Sequence, residues 1–253
     1  MRELGSQKLL MCLKIKNRAV FISDAHESSY SNNFYRFLQR IETNQIEASQ
    51  LFLMGDMFDL LVGDVKFSCD MYRKHIELIN KISLKMEVFY FEGNHDFRLK
   101  RLFPHTKVFS FSMQPVRAEF ENGSRVHLSH GDKFEGVLYL FYTKIIRSSL
   151  VLKFLNILDL SLSGKISKKI QQNQLKKNLC KKIENFEPII VNKLPNYEPR
   201  EGEFIIEGHY HQDKKIVKCG ITYINLPSFA CNQSFFIVEC VNNIKFAQNR
   251  LRG

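Results

Sequence analysis

Five apolar runs in this chain each stop at a tight cluster of Asp, His, Asn and Gly. The first two are Val20-Phe21-Ile22-Ser23-Asp24-Ala25-His26 and Leu51-Phe52-Leu53-Met54-Gly55-Asp56. The third, Val88-Phe89-Tyr90-Phe91-Glu92-Gly93-Asn94-His95-Asp96, is the richest. Val126-His127-Leu128-Ser129-His130-Gly131-Asp132 and Phe204-Ile205-Ile206-Glu207-Gly208-His209-Tyr210-His211 complete the set. Carboxylate, amide and imidazole groups are donors for hard and borderline divalent cations. Asp24, His26, Asp56, Asn94, His130, His209 and His211 are too many for one ion that must also bind water. Two neighbouring cations suit phosphoryl transfer. They clamp phosphate oxygens, lower the pKa of a water and stabilise the charge that builds during in-line displacement.

Each motif has a plainer reading. A lone histidine is more often a core residue than a ligand, and Gly-Asp or Gly-Asn ends many turns. That reading weakens because five of the eight histidines fall at these strand ends. His75, His105 and His127 stand apart and read as structural or surface residues, with His127 on the opposite face of its strand. The chain has neither a Walker-type glycine loop nor a Gly-x-Ser-x-Gly elbow, and the metal chemistry needs neither.

The elements that must deliver these groups follow from periodicity. A short apolar run reads as a buried strand. Phe34, Phe37, Leu38 and Ile41 recur at helical spacing, as do Ile76, Ile79 and Ile82 between Tyr72 and Ile82. Strand, helix, strand, helix implies βαβ units and a parallel sheet, with the ligands at its carboxyl edge. Val137 to Leu162 is densely apolar with interspersed Lys and Arg, which predicts one or two amphipathic helices. The basic stretch Gly164 to Lys182 reads as helical too, and Pro188, Pro195 and Pro199 mark an irregular exit. This segment lies between the fourth and fifth motifs, so it reads as an insertion over the site. Ile221 to Leu226 and Phe235 to Val241 read as closing strands.

At 253 residues and 44% hydrophobic, the chain can bury the core of one sizeable domain. No apolar stretch reaches the roughly 18 uncharged residues of a membrane span. The patch Leu9 to Leu13, between Lys8 and Lys14, is too short for a signal-peptide core, so the expected location is cytoplasmic. Six scattered cysteines without a Cys-x-x-Cys pair read as reduced thiols. The net charge of +11 is concentrated between Lys144 and Lys182, where ten basic residues face one acid, Asp159. Such a window fits a solvated helix face or an anionic partner: nucleic acid, headgroups or a phosphorylated substrate. It holds few aromatics after Phe154, which disfavours stacking on bases.

In this order, Asp-x-His, Gly-Asp, Gly-Asn-His-Asp, His-Gly-Asp and Gly-His-x-His resemble the signature of the calcineurin-like metallophosphoesterases, from Ala19 to about His211. The resemblance implies an α/β (α+β) fold: a two-sheet β-sandwich flanked by helices, one domain over 1–253 with a helical lid insertion at 137–200. It implies that Asp24, His26 and His211 hold one ion, that Asn94, His130 and His209 hold the other, and that Asp56 bridges them. His95 would be the catalytic residue, contacting the phosphate and protonating the leaving group. Asn94 and His209 would also face the substrate. The mixed Asp, Asn and His shell suits two Mn²⁺ ions.

Within the family, Gly55-Asp56 with Phe58-Asp59-Leu60-Leu61-Val62-Gly63-Asp64, and Asn94-His95-Asp96-Phe97, are similar to the UDP-2,3-diacylglucosamine pyrophosphatases of lipid A synthesis. Those enzymes carry a helical insertion that covers two acyl chains. The chain departs from them at His95, where arginine is usual, at Tyr210, where threonine is usual, and in having only Glu135 as an acid soon after His-Gly-Asp. The expectation is a hydrolase of a lipid-linked nucleotide, releasing a lipid monophosphate and UMP. It would be peripheral on the anionic cytoplasmic face of the inner membrane, with no nucleic-acid partner. The alternative is a metallophosphodiesterase acting on nucleic acid or nucleotides. A non-catalytic scaffold is a third reading, disfavoured because no ligand is missing.

Overall fold

The computed structural model describes residues 13–240 and 243–251. Cys12, most of the Leu9 to Leu13 patch, and Val241 lie outside the described residues. The first part runs β1 (Leu13–Ile15), β2 (Ala19–Ile22), α1 (Asn33–Glu42), β3 (Gln50–Leu53), β4 (Leu61–Val62), α2 (Lys66–Met71), α3 (Arg73–Ser83), β5 (Glu87–Phe91), β6 (Asp96–Phe97) and β7 (Lys107–Phe109). β8 (Val116–Phe120) and β9 (Arg125–Ser129) follow. Four helices come next: α4 (Val137–Ile146), α5 (Ser149–Ser161), α6 (Lys165–Gln174) and α7 (Phe186–Lys193). The chain closes with β10 (Phe204–Glu207), β11 (Lys214–Lys218), β12 (Ile221–Asn225), α8 (Phe229–Asn232), β13 (Ser234–Glu239) and β14 (Lys245–Arg250).

Two six-stranded sheets face each other, ordered β14-β13-β2-β3-β5-β7 and β1-β8-β9-β10-β12-β11. Phe21, Phe52, Phe89, Phe120, Leu128 and Ile206 pack between them. Phe21, Phe52 and Phe89 are register partners across three parallel strands, and their rings stack at 4.3 and 4.6 Å. The other face of the first sheet packs on α1 and α3 through Phe34, Phe37, Leu38, Ile79 and Ile82. The other face of the second sheet packs on α7 through Phe186 and Ile190. Strands covered on both faces need apolar side chains on both, which is why they read as continuous runs. His75 is buried against Glu27 at 3.2 Å, and His127 against Glu203 at 3.0 Å on the face away from Val126 and Leu128, so both are structural. No helix among the described residues is long and apolar enough to cross a membrane.

Two expectations change. The exit segment around Pro188 is helical, not irregular. Pro188 is the third residue of α7, where its missing N–H has no partner within the helix in any case. The cysteines are not all thiols: Cys180 and Cys231 form a disulfide with a Cα–Cα distance of 5.7 Å. The pair is 51 residues apart, so only the fold brings the strap after α6 against α8.

Candidate metal centre

Parallel register aligns the strand ends. Ile22, Leu53 and Tyr90 sit side by side in the first sheet, and Ser129 pairs with Glu207 in the second. The residues that follow therefore emerge along one edge of the sandwich. There the backbone turns sharply. Asp24, His26, Asp56, His209 and His211 all adopt positive φ, between 42° and 63°. Non-glycine residues hold that conformation only where the surroundings impose it, and such strain gathers at functional sites.

All seven candidate ligands meet at this edge. His211 Nε2 lies 3.1 Å from Asp24 Oδ1. Asp24, His26 and His211 offer donor atoms within 4.8 Å of one another, as do Asp56, His130 and His209. Asp56 Oδ2 faces both groups, 3.9 Å from His26 Nε2 and 3.5 Å from His130 Nε2. Asn94 Oδ1 is 3.3 Å from His130 Nε2. His95 sits beside His26, with ring centroids 5.1 Å apart, and its donor atom also falls within 4.8 Å of those of His26 and Asp56.

The outer contacts fix which nitrogen each ring presents. His130 Nδ1 donates to the Met54 carbonyl at 3.0 Å, His211 Nδ1 to that of Leu179 at 2.6 Å, and His95 Nδ1 to that of Asp59 at 2.9 Å. His26 Nδ1 donates to Asp59 Oδ1 at 3.3 Å. This leaves Nε2 of each ring aimed inward, the arrangement of metal-bound histidines. His26 Nε2 is buried with no hydrogen-bond partner. An orphaned inward nitrogen beside two carboxylates fits a divalent cation.

Electrostatics agree. Although burial opposes it, His211 holds Asp24 below the carboxylate range, and His130 and His95 hold Asp56 well below it. Burial would depress His130, but the Asp56 carboxylate keeps it well above the ordinary imidazole value. Burial and His130 push His209 down to about 4, and burial lowers His95. The cluster thus alternates acids with bases whose protons a cation would displace.

Two residues without an assigned role in the sequence reading build the frame. Asp96 accepts from Asp56 N, Met57 N, Gly93 N and Tyr90 OH at 2.6 to 3.0 Å, locking two ligand loops together. Burial and Asp56 push it up to about 7. Asp59 orients both His26 and His95. Their signal was their place beside ligands, in Asn94-His95-Asp96 and three residues past Asp56.

Beside Asn94 and His95 opens an apolar cavity of about 400 Å³, lined by Leu60, Val62 and Phe97 from the core and by Tyr142, Leu155 and Ile170 from the helical segment. Lys177 and Gln174 line it as well. Phe141 and Phe154 of the apolar stripe do not line it and are exposed.

Close approach at the site tolerates only glycine at some positions. A Cβ on Gly208 would stand 1.9 Å from Ser23 Oγ and 2.5 Å from Asp24 Oδ2. Gly208→Ala should therefore displace Asp24 and weaken binding of a divalent cation, with Mn²⁺ as the probe, about tenfold or more, as loss of supporting contacts does elsewhere. Titration calorimetry on the apoprotein measures this, and unchanged affinity would contradict the placement of Asp24.

The profile of the calcineurin-like phosphoesterases matches residues 18–213. The chain is 27% identical over 211 residues to a UDP-2,3-diacylglucosamine hydrolase of Psychromonas ingrahamii, covering 77% of this chain and 81% of that one. It is 27% identical over 198 residues to one of Coxiella burnetii, covering 76% and 80%. Among solved structures it is similar to a dimetal phosphatase from Danio rerio, with a TM-score of 0.46 and 12% identity over 92% of this chain and 96% of that one.

Proposed function

This chain belongs to the calcineurin-like phosphoesterase family, and we propose that it is a dinuclear-metal hydrolase that cleaves the diphosphate of UDP-2,3-diacylglucosamine to a lipid monophosphate and UMP. Phosphoester hydrolysis with divalent metals is the property of the family. The substrate rests on one observation above all: an apolar cavity opens directly onto Asn94 and His95. Relatives named for this substrate support the same reading.

Asp24, His26 and His211 would hold one ion, Asn94, His130 and His209 the other, with Asp56 between them. The donor set favours Mn²⁺. Two such cations supply Lewis acidity and lower the pKa of a water at the diphosphate. The protein's own part is positioning. Asp56 fixes the spacing of the two halves, Asn94 and His209 face the phosphate, and His95 presents its Nε2 to the leaving oxygen. Burial lowers the His95 pKa, which makes its imidazolium a stronger acid toward the leaving oxygen.

In this proposal residues 1–253 form one domain and 137–200 are its lid. Leu152, Leu155, Ile166 and Ile170 wall the acyl chains, and Lys177 meets the charged end. Outside the cavity, Leu138 and Val137 are 87% and 82% exposed, and Phe141, Leu150, Phe154 and Ile157 join them among the lysines of the segment. An apolar surface of this kind, ringed by bases, suits the anionic cytoplasmic face of a membrane.

Activity should track acyl length. Each buried methylene contributes about 0.8 kcal/mol, so each one withdrawn should lower kcat/KM roughly fourfold while the chain lines the cavity. Leu155→Asp should cut hydrolysis of the lipid substrate by about tenfold or more and leave a small chromogenic phosphodiester within about twofold. A flat response to chain length, or equal loss on both substrates, sinks the lid reading. Efficient cleavage of DNA or cyclic nucleotides by such a protein would replace it with the phosphodiesterase.

A further inference from the structure

Two cations of the helical segment, Lys193 buried and Arg147 half-buried, pack against the loops that carry the second ion's candidate ligands. Arg147, which closes α4, lies between the rings of Phe97 and Phe111, 4.9 and 4.8 Å from their centroids. Its Nη2 donates to the Gly93 carbonyl at 2.8 Å and lies 3.8 Å from Asp132 Oδ2, while Nη1 lies 3.6 Å from Glu92. Gly93 immediately precedes Asn94, and Asp132 follows His130 by two residues.

Lys193 ends α7 and is only 6% exposed. Its Nζ donates to the Gly131 carbonyl, to Glu207 at 2.9 Å and to Tyr210 OH at 3.2 Å. Glu207 also accepts the hydroxyls of Tyr197 and Tyr223, so this buried charge is fully paired. Gly131 follows His130, and Glu207-Gly208 leads into His209.

Asn94, His130 and His209 thus each have a close chain neighbour gripped by a cation from outside the sandwich. Of the first ion's candidate ligands, His211 donates to the Leu179 carbonyl between α6 and α7, whereas Asp24 and His26 are held from the core. Ser228 Oγ and Ala230 N donate to the Asp24 carbonyl, and Asp59 accepts from His26. A lone cation this close would repel a metal ion. Here Glu92, Asp132 and Glu207 offset the charges, so the two side chains can grip backbone without opposing the ion.

We infer that Arg147 and Lys193 are positioning residues for the second ion, so that seating of the helical segment and loading of that ion favour each other. The inference rests on the dinuclear reading above. Any contact that opens the segment would then loosen the second ion, and saturating that ion would stiffen the segment.

The test is Mn²⁺ titration of apoprotein by calorimetry, with electron paramagnetic resonance to separate coupled pairs from single ions. Arg147→Lys keeps the charge but loses the fork, and Lys193→Met keeps the stem but loses the donor. Each should weaken the second Mn²⁺ by about tenfold or more and the first by less than about twofold. A measurement on the unmutated protein guards against variants that unfold. Hydrogen exchange in α4 and α7, which carry Arg147 and Lys193, should slow on the second equivalent of Mn²⁺ and not on the first. Equal losses at both ions, no loss at either, or exchange indifferent to the second equivalent overturns the inference while two bound ions leave the dinuclear reading standing. Uptake of a single ion by the wild type overturns both.

Discussion

Asp56→Ala is expected to lower turnover by about 10³-fold or more, the loss of roughly 4 kcal/mol of transition-state stabilisation. The reason is geometric. One carboxylate oxygen faces His26 on one side and His130 on the other, while its second oxygen accepts the His95 backbone N–H at 2.8 Å. Asp56 therefore faces imidazole nitrogens of both halves of the site and also fixes the loop that carries Asn94 and His95. Removing it should weaken both ions together. After reconstitution with Mn²⁺ and removal of free metal, elemental analysis should find about two ions in the wild type and well under one in the variant. Asp56 is buried, so the melting temperature of the apoprotein should be measured beside it. A folded variant that keeps both ions and turns over within about tenfold of the wild type would show that the carboxylate does not bridge.

His95→Ala should separate catalysis from metal binding. Turnover should fall by about 10²-fold with metal content unchanged, the size typical of losing a positioned acid or base. The ring is held by its Nδ1 hydrogen bond to the Asp59 carbonyl, so Nε2 points into the site with its orientation fixed. Position alone does not exclude a ligand, because the same nitrogen falls within reach of the His26 and Asp56 donors. Metal content decides between the roles. A leaving group with a low pKa should also rescue the variant, since it needs no proton. Loss of one ion would make His95 a ligand instead, and an equal deficit on good and poor leaving groups would show that it does not protonate the leaving group.

How much of this the sequence carried differs from element to element. The five strand ends were legible because parallel strands bury both faces and deliver their next residues to one edge, so an apolar run followed by Asp or His is a spatial statement as well as a local one. Helix α1 was equally clear: Phe34, Phe37, Leu38 and Ile41 are its buried stripe. Pro188 misled, since proline breaks a helix interior but suits its first turn. The Cys180–Cys231 bond was hidden because it joins two short segments with no shared pattern. The apolar stretch Val137 to Leu162 predicts amphipathic helices, yet α4 and α5 divide its side chains between a cavity wall at Tyr142, Leu152 and Leu155 and an exposed face at Phe141 and Phe154. Arg147 and Lys193 were invisible among the other cations. Nothing in a run of basic residues says which side chain turns inward, and only their contacts with Gly93, Gly131 and Glu207 distinguish them.

The most direct test is to incubate the Mn²⁺-loaded protein with UDP-2,3-diacylglucosamine and quantify products by mass spectrometry. The account predicts UMP and the lipid monophosphate in equal amounts, and neither product with Asp56→Ala. A protein that holds two ions and hydrolyses a simple phosphodiester, yet leaves the lipid nucleotide intact, would contradict it.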